Sequence, residues 1–196
     1  MGTPNDLEEY ASRILPYTRL GGFAQINDVV HARHCLQILG DLLDKYPHQR
    51  RKIQALVFSS SMPNGDVAHW DKIKLVINTR ERYDIAYFKE DIFRGVHHAV
   101  ESTDPAVYVI THEFGHILEE RSLAARTFKE RVERLMGAKG DNARSAVVDM
   151  GWLSEYGRYS WAEAIAEGFA TMELSPVIAS QVERWAHQLL IGEGVS

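Results

Sequence analysis

Cysteine is nearly absent from this sequence of 196 residues. Cys35 stands alone, so no disulfide can close within the chain, and stability has to come from a core or a metal. Neither sign of charge dominates, with 22 lysines and arginines against 27 aspartates and glutamates. The basic run His48-Gln49-Arg50-Arg51-Lys52 is too short to serve nucleic acid and reads as a solvated helix end. No apolar run is long enough to span a membrane. The opening MGTPNDLEEYASRIL lacks the basic start and apolar stretch of a secretion signal. Repeats and low-complexity stretches are also missing. Neither nucleic acid nor a membrane is therefore expected as a partner. What is present, 45% hydrophobic and 25% charged, is the composition of an ordinary globular chain sized for one domain.

The pattern along the chain predicts an α+β fold. NDLEEYASRIL opens on an Asn/Asp cap signal and stops before Pro16, and INDVVHARHCLQILGDLLDKY repeats its apolar residues at helical spacing. His31 and His34 precede Cys35, but no further cysteine or histidine lies nearby at finger spacing, so they read as structural. IQALVFSSS and IKLVINT read as strands divided by the turn-rich SMPNGD. YDIAYF suits a third strand or the approach to a helix, and KEDIFRGVHHAV a helix. Asp104-Pro105 marks a helix start running through Glu120, another helix is expected over 123–136, and 137–159 reads as loop. Helices near 161–173 and 176–190 close the chain. The expected organisation is one domain over 1–196, with a helical layer over 1–50 and the core over 51–196.

One stretch carries chemistry. In VYVITHEFGHILEE, residues 107–120, a helix places Val107, Ile110, Phe114, Ile117 and Leu118 on one side and His112, Glu113 and His116 on the other. Residues four apart lie one turn apart, so both imidazoles can reach one ion. Glu113 is turned away from both and can reach a water on that ion. This is the H-E-x-x-H arrangement of two zinc ligands and a general base. The alternative is a helix whose polar face happens to read this way, but two histidines and a glutamate on a buried helix need partners.

A catalytic zinc needs a third protein ligand and an open position. Ser122 stands where a short continuation would carry histidine. Downstream, YGRYSWAEAIAEGFATM puts Glu163 and Glu167 on one helix face and Ile165, Phe169 and Met172 on the other. Glu163 has a rival role, because Ser160-x-x-Glu163 also reads as a capping box. Glu167 reads equally as a surface carboxylate or as the acceptor for a ligand histidine.

HEFGH and YGRYSWAEAIAEGFA together resemble the catalytic domain of anthrax lethal factor and its relatives, zinc metallopeptidases with a glutamate third ligand. AVYVITHEFGHILE is also similar to zincin-like domains of phage head-morphogenesis proteins. The likeness covers 107–172 and implies His112, His116 and Glu163 as ligands of one zinc ion per chain. It implies Glu113 as base, Tyr156 as donor to the oxyanion, and Glu167 as support behind a ligand. Trp161 stands where the family usually has a polar residue. The implied fold is zincin-like, with N-terminal helices, a small mixed sheet whose edge strand lies over the histidine-bearing helix, and C-terminal helices. The implied activity is a zinc metalloendopeptidase acting on a peptide or protein. The alternatives are a phage head component with little activity and an effector protease with a narrow substrate. A peptide adding to a sheet edge is expected at 73–79, against Ile73, Leu75 and Ile77. The compartment is left open.

Overall fold

A computed structural model describes residues 2–62, 67–79, 85–100, 102–120 and 122–192. Most of the expected turn SMPNGD lies outside them. Among the described residues the chain is α+β, with eight helices and one small mixed sheet. Its contacts group into two compact units, each drawing on two stretches of chain. The first is Met1–Asp84 with Pro105–Ile117, and the second is Ile85–Asp104 with Leu118–Ser196. The N-terminal helices thus group with the sheet.

In the first unit, α1 (Pro4–Ile14) is closed at its start by a full capping box. Thr3 Oγ1 accepts from Asp6 N, and the Asp6 carboxylate accepts from Thr3 N. The cap residue is therefore Thr3, one place before the proline, where the expectation named Asn or Asp. Strand β1 (Arg19–Gly21) follows, then α2 (Val29–Lys45), capped by Asp28 accepting from His31 N at 2.9 Å. Helix α2 buries Ala32, Cys35, Leu36, Leu39 and Leu43, spaced by three and four, which is why this stretch is an amphipathic helix. Cys35 Sγ lies 3.6 Å from His31 Nε2, a packing contact within one helix turn. Pro47 ends the helix, and the basic run that follows forms a 3-10 turn, Pro47–Arg51. There Arg50 Nε donates to Ile14 O at 3.1 Å and its guanidinium pairs with Asp44 at 2.5 Å, tying the ends of α1 and α2 together.

Strands β2 (Ala55–Ser59), β3 (Ala68–Asp71) and β4 (Lys74–Asn78) complete the sheet in the order β1-β2-β4-β3. The first three in that order run parallel, and β3 runs antiparallel to β4. Alternate residues Leu56, Phe58, Trp70, Leu75 and Ile77 are buried, the period-two pattern of a sheet covered on one side. Gly22, at φ 80°, leaves β1 where an added Cβ would stand 1.8 Å from Phe58 O, so a side chain has no room there.

The placement of the edge is a correction. β4 pairs with β2 on one side and β3 on the other, so 73–79 is not an edge strand. Leu75 and Ile77 are core, and Ile73 stands just before the strand, 36% exposed. The error came from β1 and β3, strands of three and four residues too short to show a period.

In the second unit, α3 (Ile85–Phe93) makes IAYF of the segment YDIAYF helical, its first two residues lying outside the described ones, and Gly95, at φ 75°, comes before Val96–Val100. Helix α4 (Pro105–Glu119), which groups with the first unit as far as Ile117, begins at the expected proline. Then come α5 (Ala124–Met136), stopped by left-handed Gly137, and α6 (Asp141–Asp149), where loop was expected. A 3-10 turn, Tyr156–Arg158, precedes α7 (Trp161–Leu174) and α8 (Gln181–Gly192). No helix among the described residues is long and apolar enough to cross a membrane.

Candidate metal centre

Helix α4 carries the central residues, and it is buried as expected. Ile110, Phe114, Ile117 and Leu118 are buried as the periodicity requires and Val107 is half-buried, with Phe114 packed 5.8 Å from the Tyr46 ring; Tyr108, one turn before His112, is buried too. His112 and Glu113 are buried as well, at 7% and 8% exposure. Polar groups taken out of water need partners. The His112 and His116 rings stand nearly perpendicular, with Nε2 facing Nε2 at 3.1 Å. Two nitrogens bound tetrahedrally at 2.0–2.1 Å lie about 3.3 Å apart, so this pair fits one zinc ion with little movement.

Glu113 is held from outside its helix. Its Oε2 accepts from Trp70 N at 2.6 Å, and Trp70 belongs to edge strand β3. Burial raises the Glu113 pKa, while the nearby His112 and His116, the Trp70 bond and His69 oppose the rise. A carboxylate in this setting accepts a proton more readily than one in water. The Trp70 bond also fixes its direction relative to the two rings.

No protein-family model, curated protein or solved structure matches this chain.

The remaining candidates lie in the second unit. Glu163 is in the first turn of α7 and half-buried. Ser160 caps that helix, its Oγ accepting from Glu163 N at 3.0 Å. The reciprocal bond from Ser160 N to the glutamate, present in the α1 box, is not part of this cap. This cap bond uses the Glu163 backbone N–H. Glu167, one turn on, is fully buried rather than at the surface. Its Oε2 accepts from Ser154 Oγ at 2.5 Å and faces His97 Nδ1 at 3.3 Å. Within this unit the histidine it supports is therefore His97. Tyr156, 36% exposed, lies between the rings of His97 and Tyr159, with centroids 5.4 and 5.2 Å away. Trp161 packs edge-on to Phe128 at 6.1 Å beneath the Arg144 guanidinium, which accounts for an apolar ring at that position.

Sequence reasoning missed Trp70, His97 and Ser154. Trp70 acts through its backbone, which any residue type supplies. His97 had one visible signal, the doublet His97-His98 in KEDIFRGVHHAV, whose expected helix stops at Phe93. Ser154 had none.

Proposed function

We propose that this chain is a zinc-dependent peptidase of zincin type. The observation that carries the reading is the α4 constellation, in which two Nε2 atoms stand 3.1 Å apart with a buried glutamate beside them, tied to an edge strand. Glu163 is the proposed third ligand. It is an anionic oxygen donor of the kind that joins two histidines around one ion, and its cap bond does not engage the carboxylate. When bound, zinc lowers the pKa of a water and polarises a carbonyl. Glu113 takes the proton from the attacking water and hands it to the leaving amine. Tyr156 donates to the carbonyl oxygen as negative charge grows there. Because β4 is closed on both sides, an extended peptide would pair at an edge, and of the two edge strands, β1 and β3, it is β3 whose Trp70 N–H bonds to Glu113. A zinc held only as a structural staple has no need of a buried base, which favours an active enzyme.

The test is metal content beside cleavage of a random peptide library. The wild type is expected to hold about one zinc per chain, and His116→Ala to lose most of it. Glu113→Gln should keep the metal and lose activity by roughly 10²–10⁴-fold. Full zinc retention in His116→Ala, or an active Gln variant, would overturn the assignment.

A further inference from the structure

The segment Val96–Val100 is strapped to the helices of the second unit at several points. Thr171 Oγ1 donates to His98 O at 2.9 Å, Val100 N donates to Ser175 Oγ at 3.3 Å, and His98 Nδ1 meets Glu183 Oε1 at 2.7 Å. These bonds fasten the strap to α7 and α8. The bonds just before them serve a different residue. Val96 O accepts from Tyr156 N at 3.1 Å, and Gly95 O accepts from Glu155 N at 2.9 Å, so the strap sets the backbone that carries Tyr156. The His97 ring then lies against the Tyr156 ring, tilted 45°.

His97 is itself oriented. A carboxylate only accepts, so Glu167 facing Nδ1 places the proton on that nitrogen and fixes the tautomer and plane of the ring. Glu167 is in turn held by Ser154 Oγ, and both are completely buried. An apolar ring would have made a wall for Tyr156 without a buried carboxylate behind it, and burying a carboxylate is costly unless it is bonded. The extra groups give His97 one orientation.

We infer that His97, held by Glu167 and Ser154, is a positioning residue that fixes the orientation of the Tyr156 phenol. The inference rests on the preceding reading of Tyr156 as the oxyanion donor, and it extends that reading to a residue outside the H-E-x-x-H helix.

Two measurements test it, and the first needs neither metal nor substrate. In metal-free protein labelled with ¹³C-tyrosine, the Tyr156 ring signals, assigned through Tyr156→Phe, should move in His97→Phe and, in the same sense, in Glu167→Gln. They should stay in place in His98→Gln, which loosens the same strap one residue on. In zinc-loaded protein acting on a cleaved library peptide, His97→Phe should lower kcat about 10–100-fold with KM within about twofold and unchanged zinc content. His98→Gln should keep kcat within about twofold. Unmoved Tyr156 signals in His97→Phe, or equal loss of kcat in the two histidine variants, would overturn the inference. If the wild type holds zinc but cleaves nothing, the peptidase reading falls, and the ring signals alone decide whether His97 orients Tyr156.

Discussion

Ser160 and Glu163 are joined by one bond, and that bond separates two roles. Ser160 Oγ accepts from the Glu163 backbone, so the cap survives when the Glu163 side chain is changed. Ser160→Ala should cost about 0.5–2 kcal/mol of stability, as lost caps do, and leave zinc affinity nearly intact. Glu163→Gln keeps a residue suited to the first helix turn but replaces an anionic donor with a neutral amide. Its folding stability without metal should be close to wild type while zinc affinity falls sharply. Zinc titration of the two variants side by side checks this, and a Gln variant binding zinc like wild type would leave the site without its third ligand. His112, Glu113 and His116 were legible in the sequence because helix geometry alone puts residues four apart on one face. The burial of Glu113 and its bond to Trp70 were not, since no local rule links residues 43 apart.

Among helices and strands, α7 and α8 meet closely at a glycine. At Gly168 an added Cβ would stand 2.7 Å from the Ala186 Cβ and 3.2 Å from the Glu183 Cα. Alanine is the better helix former by about 1 kcal/mol, but overpacking a close junction costs about 1–3 kcal/mol. Gly168→Ala should therefore lower stability on balance, by roughly 1 kcal/mol. A chemical-denaturation midpoint above that of wild type would show that the helices can part freely. The elements read in advance were helices α1, α2, α4, α5, α7 and α8 and the two apolar strands β2 and β4. Helix α6 was read as loop, although Ala143, Val147 and Val148 are buried. At nine residues beside two glycines, its apolar spacing is too brief to stand out.

For the folded chain as a whole, the His98–Glu183 pair makes stability depend on pH. Burial pulls the His98 pKa down, but the Glu183 hydrogen bond and the charges of Glu183, Glu167 and Glu155 outweigh it and raise the value above the ordinary 6.5. A group that binds its proton more tightly when folded contributes stability that is fully present below its unfolded pKa. That contribution is lost as pH climbs through the folded value. The thermal midpoint of wild type should thus fall further than that of His98→Gln as pH rises from about 6 to about 8. Equal falls in the two proteins would place the titration on another group.

Local pattern was enough for the α+β class, for the long helices and for the two imidazoles and carboxylate of α4. Each depends on residues within a turn or two, where backbone geometry leaves one arrangement. The folded chain alone settled which strands are edges, since β4 becomes interior only when β3 turns back onto it. It also settled the pairing of His97 with Glu167 and of His98 with Glu183, across 70 and 85 residues. Partners so distant in sequence are brought together by packing of the core, and adjacent residues carry no trace of that.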